Sequence, residues 1–141
     1  QTDQYSLLAY PNNRIYSKME QTKILIVDDE PNIVLSLDYL VRKKGFVPFI
    51  ARNGAEALSI AEKECPNLIV LDIMMPDMDG YEVCKIIKAN PVLSNTKIIF
   101  LSAKSRQEDI DKGLALGADK YVTKPFSTKQ IMQEIITLVN S

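Results

Sequence analysis

The sequence has 141 residues, with 17 basic and 18 acidic side chains and therefore a net charge of -1. This length predicts one domain with its own core. The balanced charge lacks the basic excess typical of proteins that bind nucleic acid or anionic membranes. The chain contains no histidine, which excludes Ser-His-Asp and Cys-His catalysis and every zinc site built on imidazole. Chemistry that passes through phosphohistidine would therefore need a histidine from another protein.

The first 21 residues differ in pattern from the rest of the chain. They lack the basic start and long apolar core of a signal peptide, and we interpret residues 1–21 as an extension, linker or cloning remnant before a domain at 22–141. No apolar run approaches the roughly 20 residues that span a bilayer. Cys65 and Cys84 form no CxxC pair, so we expect two buried thiols in a reducing compartment. These features predict a cytoplasmic protein without membrane insertion.

From Lys23 onward, short apolar runs alternate with helical patterns, which is typical of βα units around a parallel sheet. The predicted strands are KILIV (23–27), FVPFI (46–50), NLIVLD (67–72), KIIFLS (97–102) and DKYVT (119–123). The first, third and fourth are apolar nearly throughout, as expected of strands covered on both faces. Pro48 cannot donate a ladder hydrogen bond, so the second strand is predicted at an edge of the sheet.

The helix boundaries are predicted from capping residues. Pro31 suits the first turn of the first helix, whose apolar face comprises Ile33, Leu37, Leu40 and Val41. The later helices are predicted to start at pairs with capping-box spacing: Asn53 with Glu56, Asp79 with Glu82, Ser105 with Glu108, and Ser127 with Gln130. Gly45 and Gly117 are predicted to end helices. Together these elements predict an α/β fold, a flavodoxin-like doubly wound (βα)5 three-layer sandwich with sheet order 2-1-3-4-5.

Polar side chains follow the strands at the carboxyl edge of this sheet, where open α/β folds bind ligands. Asp28 and Asp29 follow strand one, Asp72 ends strand three, Ser102 ends strand four, and Lys124 follows strand five. Three crowded carboxylates repel one another, and a hard cation such as Mg²⁺ would relieve that repulsion. An aspartate nucleophile beside a metal and a lysine suits phosphoryl transfer. Each residue alone has an ordinary role in a cap, turn or loop, and only the combination favours a site.

The segments ILIVDDE, NLIVLDIMMPDMDGYEVCKIIK, IIFLSA and GADKYVTKPF, with their spacing, resemble the receiver domain of response regulators in two-component signalling. The resemblance covers Lys23 to Val139. It implies that Asp72 is the phosphoacceptor and that Asp29 and Asp72 bind Mg²⁺ directly. The backbone carbonyl of Met74 would be a third ligand, and Asp28 would act mainly through water. The Met74 side chain offers no hydrogen bond to an attacking water, so we expect slow to moderate self-dephosphorylation.

The resemblance also implies roles for residues on strands four and five. Ser102 and Lys124 would contact the phosphoryl group, and Pro125 would follow a cis peptide bond. Tyr121 would act with Ser102 as the conformational switch. Glu30 has no part in this scheme and is interpreted as belonging to the start of the first helix.

The function implied by the resemblance is a phosphorylation-dependent switch. A histidine kinase or histidine phosphotransfer protein would phosphorylate Asp72. The face formed by helix four, strand five and helix five would then change its preference for an output domain, an effector or a second copy in a homodimer. The domain would catalyse only its own phosphorylation and dephosphorylation. We expect no direct binding to nucleic acid.

Three alternatives stay open at this point. An aspartate-nucleophile Mg²⁺ phosphohydrolase of the haloacid dehalogenase type would need a second acid two residues after the nucleophile, where Met74 stands. A flavodoxin-like cofactor carrier would need a loop rich in Ser, Thr or Gly after strand one, where Asp29, Glu30 and Pro31 stand. A receiver-like docking module that never takes phosphate would not need the complete set of site residues.

Overall fold

A parallel sheet of five strands organises residues 22–141, the part of the chain that the computed structural model describes. The strands are β1 (Lys23–Val27), β2 (Val47–Ala51), β3 (Leu68–Leu71), β4 (Lys97–Ser102) and β5 (Lys120–Thr123). The helices are α1 (Pro31–Lys43), α2 (Gly54–Glu64), α3 (Gly80–Ala89), α4 (Gln107–Ala115) and α5 (Thr128–Val139). The sheet order β2-β1-β3-β4-β5 confirms the predicted fold. The extension predicted at 1–21 lies outside the described residues.

The two faces of the sheet carry separate apolar cores. Leu25 and Val27 pack with residues of α2 and α3, whereas Ile24 and Ile26 pack with residues of α1 and α5. All four side chains are at most 1% exposed. Because successive residues of a strand point to opposite faces, a strand between two helical layers must be apolar at every position. This requirement explains the uninterrupted apolar run of β1.

The edge position predicted for the second strand is confirmed, because within residues 22–141 β2 pairs only with β1. The strand begins at Val47, one residue later than predicted. The reason lies in the end of α1, where Gly45 has a φ of +93° and the amide of Phe46 donates to the carbonyl of Val41. Phe46 therefore closes the helix and is unavailable for the ladder. Gly117, with a φ of +108°, ends α4 as predicted.

Three of the four predicted capping pairs are confirmed at their N-cap residue. The side chains of Asn53, Asp79 and Ser127 each accept the backbone amide three residues later, and Asp79 with Glu82 forms a full capping box. The prediction for Ser105 is wrong. The carbonyl of Arg106 accepts the amides of Asp109 and Ile110, so the first turn of α4 forms one residue later and has no side-chain cap.

Two predictions about buried residues need correction. On α1 the buried residues are Val34, Leu37 and Val41, so the apolar face includes Val34, which was not predicted. Ile33 and Leu40 of the predicted face are only half-buried. Cys84 is buried as expected, but Cys65 is exposed, because it ends α2 in the left-handed conformation with a φ of 48°. Within residues 22–141, no helix is both long and apolar enough to cross a membrane.

Gly80 allows α3 to start directly against the loop that follows β3. A Cβ atom at this position would overlap the carbonyl oxygen of Asp72 and lie 2.8 Å from the Cα of Ile73. Both atoms belong to backbone and cannot move without displacing Asp72. We expect Gly80→Ala to lower the free energy of unfolding by about 2 kcal/mol or more, measured by urea denaturation.

Gly54→Ala is the matched control, because Gly54 also starts a helix and the nearest atoms to its added Cβ belong to the Met78 side chain. The Sδ atom of Met78 can move aside, whereas its Cβ atom moves only with the Met78 loop, so we expect a loss smaller than that of Gly80→Ala. Equal losses in the two variants would contradict the account.

Candidate functional site

Asp28 and Asp72 follow two adjacent strands, β1 and β3, at the carboxyl edge of the sheet. The amide of Asp28 donates to the carbonyl of Ala51 at 3.1 Å, and the amide of Asp72 donates to the carbonyl of Val27 at 2.9 Å. These bonds extend the ladder by one residue and fix both backbones. The two residues are only 2% and 4% exposed. The strand order therefore places two distant carboxylates together in a buried position.

Asp29 completes a cluster of three carboxylates. One oxygen from each of Asp28, Asp29 and Asp72 lies within 4.8 Å of the others, and Asp29 is the exposed member. Burial, followed by the charge of Asp28, raises the pKa of Asp72 to about 6. The cluster is thus a set of oxygen donors whose repulsion a cation would relieve. This donor chemistry fits Mg²⁺, which prefers one or two carboxylates together with water.

The backbone of Met74 lies beside this cluster, since its amide donates to the Asp72 carboxylate at 3.3 Å. Its side chain points away from the core and is 56% exposed. Met74 therefore contributes no side-chain donor or acceptor near Asp72 and is not the gap-filling residue that methionines often are.

Lys124 brings a positive charge to the three acids. Its Nζ atom lies 2.9 Å from Asp28 Oδ2, 2.7 Å from Glu30 Oε1 and 3.8 Å from Asp72 Oδ1. Burial would lower the pKa of Lys124, but the hydrogen bonds to Glu30 and Asp28 and the charge of Asp72 raise it above its ordinary value. The side chain is thus a permanent cation at neutral pH. The Lys124–Pro125 peptide bond is cis.

The assignment of Glu30 to the start of the first helix is confirmed, but the expectation that it has no part in the site is wrong. Glu30 does occupy the N-cap position of α1, but its side chain makes no capping hydrogen bond. The carboxylate instead forms the shortest contact of Lys124. The reason is geometric: the backbone turn after β1 points the Glu30 side chain along the edge of the sheet toward the end of β5.

Ser102 and Tyr121 lie on β4 and β5, the next two strands of the sheet after β3. Ser102 is fully buried, and its hydroxyl accepts the amide of Lys104 at 3.2 Å. The Tyr121 hydroxyl donates to the carbonyl of Lys104 at 2.8 Å. Burial is the main cause that raises the pKa of Tyr121. The same short loop therefore connects the serine and the tyrosine.

Two further aromatic residues support this arrangement, and no sequence pattern singled them out. The rings of Tyr81 and Tyr121 lie 5.6 and 5.9 Å from the ring of Phe100, which is fully buried in β4. The Tyr81 hydroxyl donates to the carbonyl of Asp109 in α4 at 3.1 Å. The aromatic group thus connects α3, β4 and β5 to α4.

The comparisons with known proteins agree with this geometry. The family model described as the response regulator receiver domain matches residues 24–136. The alkaline phosphatase synthesis transcriptional regulatory protein PhoP of Bacillus subtilis is 47% identical over 109 residues, which are 77% of this chain and 45% of PhoP. The DNA-binding response regulator MtrA of Mycolicibacterium smegmatis is 36% identical over 113 residues, 80% of this chain and 48% of MtrA. The chain spans about half the length of these relatives.

Solved structures of similar fold are receiver domains from different kinds of protein. The beryllofluoride-activated receiver domain of DrrB matches with a TM-score of 0.79 and 32% identity, covering 86% of this chain and 99% of that one. The receiver domain of a signal transduction histidine kinase from Syntrophus aciditrophicus matches with a TM-score of 0.78 and 33% identity, covering 84% and 90%.

The raised pKa of Asp72 predicts that this residue lowers the free energy of unfolding at neutral pH but not at acidic pH. A carboxyl whose pKa rises from 3.8 to about 6 on folding stabilises the protein below pH 4 and loses that contribution as the pH rises through 6. In Mg²⁺-free buffer at pH 7.5, we expect Asp72→Asn to raise the free energy of unfolding by about 2 kcal/mol. The gain should shrink toward pH 4 in urea denaturation.

Glu62→Gln, at an exposed position of α2, is the control for the removal of one negative charge. We expect it to change stability by less than about 0.5 kcal/mol at either pH. A destabilised Asp72→Asn, or a gain independent of pH, would contradict the prediction.

Proposed function

Because this chain belongs to the response regulator receiver domain family, we propose that Asp72 accepts the phosphoryl group that operates it as a signalling switch. The observation that carries the proposal is a buried carboxylate with two further acids within 4.8 Å and a lysine at 3.8 Å. Receiver domains interact with histidine kinases and output domains, and they generally bind Mg²⁺ at an acidic pocket. The donor here is a histidine kinase or a histidine phosphotransfer protein.

In the proposed transfer, a carboxylate oxygen of Asp72 attacks the phosphorus of the donor phosphohistidine. An O–P bond forms, the N–P bond breaks, and the imidazole of the donor leaves with the electron pair. Lys124 offsets the charge of the transferring group. When bound by Asp29, Asp72 and the backbone carbonyl of Met74, with Asp28 acting through water, Mg²⁺ would supply further positive charge there.

The proposed switch connects this chemistry to a surface. The phosphoryl oxygens attract Ser102 and Lys124. The Tyr121 hydroxyl donates to the carbonyl of Lys104, which lies in the loop that follows Ser102. Movement of this loop shifts α4, which buries only Gly113 whereas α3 buries five residues. A loosely packed helix costs little to move. The face of α4, β5 and α5 then binds an output domain, an effector or a second copy with altered affinity.

Further parts of the proposal follow from the same residues. Residues 22–141 form the receiver domain, and 1–21 are an extension or linker. The domain works in the cytoplasm, catalyses its own phosphorylation and hydrolyses the aspartyl phosphate slowly to moderately, because the Met74 side chain cannot position water. PhoP and MtrA are named as a transcriptional and a DNA-binding regulator. We propose that the receiver part itself does not contact nucleic acid.

The assignment of Asp72 predicts a covalent adduct. After incubation with acetyl phosphate and Mg²⁺, we expect the intact mass of the wild-type chain to increase by one phosphoryl group. Asp72→Asn should gain none, because an amide is not a nucleophile for phosphorus. Asp77→Asn is the matched control, since Asp77 is exposed and has a φ of 69° that asparagine tolerates. An adduct on Asp72→Asn, or no Mg²⁺-dependent adduct on the wild type, would refute the assignment.

The proposed metal ligands predict stabilisation by Mg²⁺. Because a ligand that binds only the folded state raises its stability, saturating MgCl₂ should raise the melting temperature of the wild type by several degrees. Asp29→Asn should lose most of this increase while folding normally, since Asp29 is exposed. Asp77→Asn should keep it. An equal increase in both variants would show that the effect is one of ionic strength and not of a site.

A further inference from the structure

We propose that Glu30 is a positioning residue that holds Lys124 in its resting place and competes with the phosphoryl group for it. The inference rests on the proposed function of Asp72 and adds to it a residue that sets the balance between the resting and the phosphorylated conformation. The Glu30 side chain acts through Lys124, and its carboxylate is not part of the cluster of Asp28, Asp29 and Asp72.

The distances from Lys124 to the three neighbouring carboxylates differ, and their order supports this role. Its shortest contact, 2.7 Å, is with Glu30, whose side chain is 59% exposed at the rim of the site. The contact with the buried Asp28 is 2.9 Å, and the distance to Asp72 is 3.8 Å. The lysine is thus bonded to the two acids that do not accept phosphate and stays outside hydrogen-bond distance of the one that does.

The backbone of Glu30 is fixed at both of its polar groups, so its side chain extends toward Lys124 from a defined point. Its amide donates to Asp28 Oδ1 at 2.9 Å. Its carbonyl accepts the amides of Ile33 and Val34, both at 3.1 Å, as the first turn of α1. Since the side chain makes no capping bond, its carboxylate is available to Lys124 alone among the contacts described for residues 22–141.

Competition follows from the distances. A charge-assisted N–H···O bond is about 2.8 Å long, so Lys124, at 3.8 Å from Asp72 Oδ1, must move about 1 Å to bond that oxygen. A phosphoryl group on Asp72 adds further anionic oxygens that draw Lys124 away from the rim. The backbone of Glu30 is held at both ends, so the contact lengthens as Lys124 moves inward unless the side-chain torsions of Glu30 also change. The Glu30 contact therefore weakens when Lys124 engages the phosphoryl group, and its free energy opposes the switch.

Two other roles for Glu30 make different predictions. As a metal ligand it would have to join the cluster of Asp28, Asp29 and Asp72, but it is not part of that group. If Glu30 acted only as a negative charge near the site, an aspartate at position 30 would serve equally well. The proposed role instead requires the reach of glutamate, because aspartate is one methylene shorter and cannot span the 2.7 Å contact from a fixed backbone.

The experiment compares the wild type with Glu30→Gln, Glu30→Asp and the control Glu64→Gln. Glu64 also pairs with a lysine, Lys23, at 3.2 Å, but at the start of β1, the end opposite to the site. Beryllofluoride, a phosphoryl mimic, is titrated at saturating MgCl₂ and followed by ¹⁹F NMR, and MgCl₂ is titrated alone. We expect both Glu30 variants to bind beryllofluoride about two- to fivefold more tightly than wild type. The control should match the wild type.

Several results would overturn the inference. Unchanged beryllofluoride affinity in both variants would exclude competition, and a change in Glu30→Gln alone would assign the effect to charge. A loss of Mg²⁺ affinity of tenfold or more would make Glu30 a metal ligand. Absence of beryllofluoride binding by wild type would instead refute the proposed function.

A measurement without ligand tests the Lys124 contact independently of phosphorylation. In ¹⁵N NMR, we expect the ammonium protons of Lys124 to exchange with water faster in both Glu30 variants than in wild type or Glu64→Gln. Equal exchange in all four proteins would show that Glu30 does not hold Lys124 and would overturn the inference.

Discussion

Electrostatic repulsion among Asp28, Asp29 and Asp72 is the constraint around which the carboxyl edge of the sheet is arranged. Adjacent parallel strands bring two of these carboxylates together in a buried place, where ionisation is costly. Lys124 offsets part of that cost by bonding Asp28, and the raised pKa of Asp72 shows that part of it remains. A cation bound among these carboxylates would relieve the remaining repulsion.

The rest of the fold holds the three carboxylates in place and connects them to α4. Two apolar layers fix the strands, Gly80 lets α3 approach the Asp72 backbone, and the ends of β4 and β5 place Ser102 beside the lysine. The aromatic group around Phe100 connects the loop after β4 to α4. The tight packing near Asp72 keeps the phosphorylation site in place, whereas the light packing of α4 allows that helix to move. A switch needs both properties.

The sequence alone predicted the five strands, their order and the convergence of the acidic residues, because these depend on apolar periodicity and on the rule that ligands meet the carboxyl ends of parallel strands. It did not predict the contact of Glu30 with Lys124, since the direction of that side chain depends on a turn and not on spacing. The start of α4 at Gln107 and the exposure of Cys65 were missed for a similar reason. Local backbone geometry decided both. Tyr81 and Phe100 were not singled out because buried aromatic residues in helices and strands are ordinary core residues by pattern.

Chemical location of the phosphoryl group tests the central claim most directly. Borohydride reduces an aspartyl phosphate to homoserine, so peptide mapping after phosphorylation by acetyl phosphate and reduction identifies the residue that carried the group. The account predicts homoserine at position 72 and at no other position. Homoserine at position 28 or 29, or reduction products spread over several exposed acids, would contradict it.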